Sequence, residues 1–115
     1  MIKYIIDDIP PSNNKFIGRT NKWEYQKIKK YWAEQIFWKC RPKPMPPIEK
    51  ARVTLIYFFP THTRRDPDNY SGKMLLDGLV KAQILTDDSF NYIELVLKAD
   101  YDKANPRTEI IIEKV

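Results

Sequence analysis

Two short polar turns contain the residues of this chain that could do chemistry together. The first is Arg64-Arg65-Asp66-Pro67-Asp68-Asn69, and the second is Thr86-Asp87-Asp88-Ser89. Carboxylates crowded together repel one another, so they stay ionised side by side only when a cation joins them. Carboxylate oxygens without a His or Cys companion suit Mg²⁺ or Mn²⁺ and suit zinc or copper poorly. The two turns therefore predict a site for a hard divalent cation.

The surroundings of these acids are basic. The formal net charge is +5 and the pI is about 9.3. A divalent ion held by carboxylates can activate a water and neutralise charge on a phosphate, and a basic surround attracts a polyanion. These features predict a nuclease, although a lysine run on a helix is also compatible with a solvated face. The clustered cations are Lys22, Lys27, Lys29, Lys30, Lys39, Arg41 and Lys43, followed by Arg64 and Arg65.

Asp66 and Asp68 stand two residues apart with Pro67 between them. On an extended backbone such residues point the same way, and the proline biases Asp66 away from helical geometry. We therefore expect both carboxylates to grip one ion at the start of a helix, where phosphates are also favoured. The simpler alternative is a turn followed by a helix cap, and Thr86–Ser89 is equally compatible with a plain polar turn.

Several other side chains have two possible roles. Lys73, one turn inside the predicted second helix, could reach a phosphate as a point charge or serve solubility. Asp77 is expected to be an exposed acid or part of a capping network. His62 is expected to contact a phosphate or to have no function. Four aromatic residues are expected in the core, although one that lies near the acidic pocket could instead wedge between bases. They are Tyr57, Phe58, Phe59 and Trp38.

Length and composition indicate one domain over residues 1–115, large enough to bury a core without disulfides. The hydrophobic share of 43% and the charged share of 30% are typical of globular proteins. The single cysteine, Cys40, cannot form an internal bridge. No signal-peptide pattern or membrane-spanning apolar run is present, so we expect a cytoplasmic protein without membrane association.

The spacing of apolar residues, together with Pro and Gly residues that end helices and strands, predicts the elements that position the two turns. The expected class is α+β, with two layers in the order β-α-β-α-β-β and two helices packed on a mixed or antiparallel sheet. Asn21 is the expected N-cap of the first helix. Gly72 and Gly78 are expected to mark close approach to another backbone. The predicted strands are 2–6, 51–59, 92–99 and 108–115, the last two joined by a hairpin loop, and the helices are 21–40 and about 69–83.

These motifs resemble the RusA family of Holliday-junction resolvases, small endodeoxyribonucleases common in prophages. The likeness lies in Pro10–Asn14, Arg64–Asn69, Asp77–Ala82 and Asp87-Asp88, which occur in the family's order across nearly the whole chain. The resemblance implies a homodimer that binds a four-way junction. It also implies paired nicks that depend on Mg²⁺, for which Mn²⁺ substitutes, during DNA recombination and repair.

The resemblance also assigns residues. It implies that Asp66, Asp68 and Asp88 ligate the ion with Asp87 in support, and that Lys73 assists at the phosphate. It implies that the second acidic pair joins the first, although a helix of the predicted length separates its ends by roughly 20 Å. The stretch from Asn69 to Lys73 is one residue longer than in well-known members, which corresponds to about 100° of helix turn. The expected DNA-binding residues are Asn13, Asn14, Lys15, Arg64, Arg65 and Asn69.

Two other functions fit the same residues. One is a catalytically inert DNA-binding module in which the acids are caps and the lysine-rich helix contacts phosphates. The other is a metal nuclease that acts on flaps, single strands or RNA.

Overall fold

This computed structural model describes residues 1–13 and 22–115, in which the elements follow the order strand, helix, strand, helix, strand, strand. This order and the α+β class confirm the prediction. The predicted N-cap Asn21 lies outside the described residues. No helix within the described ranges is both long and apolar enough to cross a lipid bilayer. The strands are β1 (Ile2–Ile6), β2 (Ala51–Phe59), β3 (Ile93–Tyr101) and β4 (Arg107–Lys114), and the helices are α1 (Lys22–Lys39) and α2 (Lys73–Lys81).

The four strands form one mixed sheet in the order β1-β4-β2-β3. β2 pairs in parallel with β3 and antiparallel with β4. The predicted hairpin between the last two strands is therefore wrong, because β2 lies between them. The reason is the apolar character of β2 on both faces, which suits a central strand with a partner on each side. The loop that follows β3 begins with the amide of Asp102, which donates to the carbonyl of Phe59 at 2.9 Å.

The core contains apolar residues of both helices and of the sheet. Trp32 and Ile36 of α1 are buried, as their helical spacing predicts. Trp38, expected in the core, is 69% exposed. The reason is its position two residues beyond Ile36, which at about 100° per residue places it on the opposite side of the helix.

α1 and α2 cross closely at Gly78. A Cβ added at Gly78 would lie 2.9 Å from Cγ1 of Ile36 and 3.6 Å from Cα of Ala33. The close approach predicted for this glycine is therefore confirmed.

The predicted second helix is divided into two pieces. A 3₁₀ turn covers Pro67–Tyr70, and α2 begins only at Lys73. Gly72 has a φ of 80°, in the left-handed region, so the α-helix cannot run through it. A Cβ at this glycine would collide with Cδ1 of Leu55, so Gly72 also approaches the sheet closely.

The C-terminus of α2 closes with two backbone hydrogen bonds. The amide of Gln83 donates to Val80 O, and the amide of Ile84 donates to Leu79 O, both at 3.0 Å. This is the Schellman arrangement, in which the residue after the cap takes a left-handed conformation. Gln83 has a φ of 62° and fills that position without being glycine.

Arg107, at the start of β4, ties the loop after β3 to the sheet. Its Nη1 donates to Oδ2 of Asp102 at 2.7 Å, and its Nε donates to Oε2 of Glu109 at 2.8 Å. Its guanidinium lies 3.8 Å from the ring centroid of Phe58. The bond from Arg107 lowers the pKa of Asp102. Burial pushes the pKa of Glu109 upward, but the bonds from Arg107 and Lys3 together hold it below its usual range.

We expect Arg107→Ala to lower Tm at pH 7 by roughly 5–10 °C, because a buried carboxylate loses a charged partner. Carboxyls with lowered pKa values stabilise the fold above the unfolded pKa of about 4, and that stabilisation is lost as pH falls. The difference between variant and wild type should therefore shrink below about pH 4. Thermal unfolding followed by circular dichroism across this pH range measures both effects.

The control for this prediction is Arg52→Ala, which removes an ion pair with Glu94 at 3.1 Å between two exposed side chains. Exposed pairs contribute little, so Tm should change by no more than about 2 °C. Equal losses in the two variants would contradict the role given to Arg107.

Candidate active site

The first acidic turn departs from the predicted extended form. Asp66 is extended, with φ −102° and ψ 140°, as the following proline requires. Asp68, however, lies inside the 3₁₀ turn that begins at Pro67, so the expectation that both acids share one extended strand is wrong. The reason is that Pro67 also suits the first position of a helical turn.

The Asp66 side chain does not cap the helical turn that follows it. The backbone carbonyl of Asp66 accepts a hydrogen bond from the amide of Asn69 at 3.0 Å. Its side chain makes no capping hydrogen bond to the turn. The Asp66 carboxylate is therefore left for other interactions.

Asn13 connects the N-terminal segment to this acidic turn. Its Nδ2 donates to the backbone carbonyl of Asp68 at 3.1 Å and to Oγ of Ser71 at 3.0 Å. Two motifs that are more than fifty residues apart in sequence thus meet in space. Asn14 and Lys15, the other DNA-contact candidates of this segment, lie outside the described residues. The sequence gives no signal that Ser71 belongs to the site, and only its hydrogen bond with Asn13 in the folded chain places it there.

Arg64 stands at the open side of the turn. Its Nε lies 3.3 Å from Oδ1 of Asp66, and its side chain is 88% exposed. An ion pair so open to water contributes little to stability. Arg64 can therefore move from Asp66 to an approaching phosphate at small cost.

Arg65, unlike Arg64, makes several contacts within its own loop. Its Nη1 donates to the carbonyls of Thr61 and Thr63, each at 3.0 Å, and its guanidinium lies 4.1 Å from the ring centroid of Phe59. These contacts fold the loop between β2 and the acidic turn. His62 in the same loop stacks on Tyr101 with ring centroids 3.8 Å apart.

An aromatic cluster that the sequence did not predict as a unit lies beside Asp66. The rings of Tyr57 and Phe59 approach Tyr70, with centroids 5.8 Å and 5.1 Å away. Together with Asp66 they border a cavity of about 70 Å³. The hydroxyl of Tyr57 is buried with no hydrogen-bond partner in the described part of the chain, and burial raises its pKa. The alternation of Tyr57 and Phe59 predicts that they share a face, whereas Tyr70 joins them only through the fold.

The second acidic turn lies near the other end of β2. The amide of Thr86 donates to the carbonyl of Ile48 at 3.0 Å, three residues before β2 begins. Asp66, by contrast, borders the cavity beside the second half of that strand. Oδ1 of Asp87 accepts from the amide of Asp88 at 2.8 Å, so Asp87 shapes its own turn.

The expected group of three carboxylates is not assembled. Within residues 1–13 and 22–115, no three or more His, Cys, Asp or Glu side chains are arranged to hold a metal ion. Asp66 and Asp68 share one turn, and the structure does not bring Asp88 to them. Ionised carboxylates repel one another, which opposes such gathering. The donor chemistry of the first turn still fits a hard divalent cation, since both side chains offer carboxylate oxygens.

Lys73 pairs with an acid of its own helix, α2. Its Nζ lies 3.6 Å from Oδ2 of Asp77, and Nζ of Lys29 lies 4.0 Å from the same atom. Lys73 is the first residue of α2, not a residue one turn inside a helix. The turn of about 100° that one extra residue between Asn69 and Lys73 would cause in a continuous helix therefore does not apply. The break at Gly72 is the reason, because it separates Asn69 from α2. Asp77 links α1 to α2.

No protein-family model matches this chain, and no curated protein sequence matches it significantly.

Proposed function

We propose that this chain is a Mg²⁺-dependent, structure-specific endodeoxyribonuclease that resolves four-way DNA junctions in the cytoplasm during recombination and repair. The observation that carries the proposal is an ordered set of motifs that resembles the set of the RusA family, in a basic chain. These motifs are Pro10–Asn14, Arg64–Asn69, Asp77–Ala82 and Asp87-Asp88. Support comes from the hydrogen bond between the Asn13 side chain and the carbonyl of Asp68. It holds the first of these motifs against the second.

The residues have distinct roles in this proposal. Asp66 and Asp68 would hold Mg²⁺, and the bound ion would supply an activated water and neutralise charge on the phosphate. Asp88 would join them as a third ligand only in a conformation that brings the second acidic turn to the first, because the two turns lie near opposite ends of β2 in this structure. Arg64, exposed beside Asp66, binds the phosphate on the open side of the turn. Asn13 is a positioning residue, because its bonds to Asp68 and Ser71 hold the turn in place.

A homodimer fits the substrate. Two subunits related by a two-fold axis would present two acidic turns to a junction that itself has near two-fold symmetry. Each turn would nick one strand, and the pair of nicks separates the junction into two duplexes.

The test uses the purified chain with a labelled four-way junction, a linear duplex of the same sequence and a flap substrate. In Mg²⁺ we expect the junction to be nicked in pairs at least about tenfold faster than either other substrate, with 5′-phosphate ends that ligase can seal. In EDTA cleavage should stop, since the ion supplies the activated water. Equal cutting of linear duplex would refute junction specificity, and cutting in EDTA would refute the role of metal.

A DNA-binding module without cleavage is the second candidate. The observation that favours it is the engagement of Lys73 with Asp77, 3.6 Å away, within the helical layer. This candidate predicts that the junction is bound in EDTA and stays intact in Mg²⁺ and in Mn²⁺.

A further inference from the structure

The net positive charge of this chain equals the net charge of one segment. Residues 22–43 contain seven Lys or Arg residues and two Glu residues, which gives the segment a net charge of +5. The whole chain also carries +5, so the rest is neutral in sum. α1 forms most of this segment. Electrostatic attraction of a polyanion is therefore directed to the helical layer.

α1 also exposes aromatic rings between its cations. Trp23 is 80% exposed, Trp38 is 69% exposed and Phe37 is 45% exposed. Spacings of three and four residues place these rings on the same face as Lys27 and Lys30. Phe37 and Trp38 are adjacent at the C-terminal end of α1 and Trp23 lies about 20 Å away at its start, so the aromatic interaction surface is centred on Phe37 and Trp38. We call this surface the α1 face, and it comprises Trp23, Lys27, Lys30, Phe37, Trp38 and Arg41.

The C-terminal end of the α1 face is preorganised. The rings of Phe37 and Trp38 meet edge to face, with centroids 5.0 Å apart. The guanidinium of Arg41 lies 4.9 Å from the Phe37 centroid and 5.7 Å from that of Trp38, and its Nε donates to the Phe37 carbonyl at 3.2 Å. These contacts fix the rings before any partner arrives, which lowers the entropic cost of binding.

A groove between α1 and α2 leads to this aromatic end. Its first part, about 400 Å³, is bordered by Lys29, Lys30 and Lys81 with Asp77 between them. Its second part, about 310 Å³, is bordered by Lys30 and Lys81 and reaches Phe37. Lysines therefore outnumber acids along the groove, where Asp77 borders the first part and Glu34 the second, and the groove ends beside the ring of Phe37.

We infer that the α1 face and this groove bind single-stranded nucleic acid. The lysines contact successive phosphates, and Trp38 with Phe37 stacks on an unpaired base, the combination that proteins use to hold single strands. A duplex keeps the faces of its bases stacked on one another and cannot use these rings. A second copy of this same surface is disfavoured as the occupant of the α1 face, because two segments of charge +5 repel each other, whereas a dimer formed through another face is not opposed by this charge. This binding goes beyond the proposed cleavage and does not depend on it.

The test is fluorescence anisotropy of a labelled oligothymidylate in EDTA, for wild type and variants of Trp38. Trp38→Leu keeps an apolar side chain but removes the ring, and we expect affinity to fall about 5- to 100-fold, the effect of losing one stacked base. Trp38→Phe keeps a ring and should stay within about threefold of wild type. Met45→Ala removes an apolar side chain that is exposed outside the α1 face, and should bind as wild type does.

The inference is overturned if Trp38→Leu binds the oligothymidylate as wild type does, or if Met45→Ala is weakened equally. It is also overturned if Trp38→Leu changes only binding to anionic vesicles or only the mass in solution by light scattering. Failure of the proposed function looks different. A chain that binds the oligothymidylate through Trp38 but cuts no junction refutes the cleavage proposal alone, and one that cuts junctions without this binding refutes the present inference alone.

Discussion

Asp68→Asn should abolish junction cleavage while leaving DNA binding intact. The substitution is nearly isosteric but removes the negative charge that a hard divalent cation requires of its ligand. We expect the single-turnover cleavage rate in Mg²⁺ to fall on the order of 100- to 10,000-fold, as for other groups that act directly at the reacting atoms. Affinity for the junction in EDTA should be unchanged or higher, because one carboxylate no longer repels the phosphates.

The control for Asp68→Asn is Glu94→Gln, which also removes one negative charge, from an exposed side chain of β3 paired with Arg52. Its cleavage rate should stay within about twofold of wild type, as expected for an exposed surface pair. If Asp68→Asn cuts at the wild-type rate, the turn is not the catalytic centre. If it loses DNA binding instead, the acid has a structural role.

The second acidic turn is tested by two neighbouring substitutions. Asp88→Asn should lose cleavage as Asp68→Asn does, if Asp88 is the third ligand. Asp87→Asn removes the acceptor of a backbone bond within its own turn, so its main effect should be on Tm. An active Asp88→Asn variant would contradict Asp88 as a ligand and would show that the first turn works without the second.

Gly72→Ala should lower the free energy of unfolding by about 2–5 kcal/mol. Roughly 1–2 kcal/mol comes from a left-handed conformation that alanine rarely adopts. Packing a Cβ against Leu55, which has no space for it, adds about 1–3 kcal/mol. Urea unfolding followed by circular dichroism measures the change, which should appear as a lower midpoint with an unchanged slope.

Gln83→Gly is the matched control because it is also a substitution at a residue with positive φ, but its expected effect on stability has the opposite sign. The φ of 62° suits glycine, so the variant should be more stable by about 0.5–1 kcal/mol. A Gly72→Ala variant as stable as wild type would contradict the description of the break between the acidic turn and α2.

Local features of the chain are readable from its residues. β1 and β2 occupy the predicted residues because runs of β-branched and aromatic side chains bounded by prolines favour strands whatever lies elsewhere. The buried positions Trp32 and Ile36 follow from a period of 3.6 residues. The boundary at Gly72 was missed because a glycine inside an apolar period does not reveal its own φ.

The candidate site was predicted less completely. Asp66, Asp68 and Arg64 are recognisable because they are adjacent in sequence and need no fold to be brought together. Arg65 looks the same in sequence, yet it contacts Thr61, Thr63 and Phe59. Neighbouring arginines are distinguished only by what lies within reach of each guanidinium.

The identity of the acids, the basic composition and the types of element were determined by the sequence itself, because each depends on a residue or on its near neighbours. Tertiary structure decided the placement of β2 between β3 and β4, the bond from Asn13 to Asp68, the exposure of Trp38 and the distance of the second acidic turn from the first. These depend on which distant segments pack together. The packing of distant segments depends on the free energy gained by burying the whole core and on the entropy lost in closing long loops. Neither quantity can be read from a short stretch of sequence.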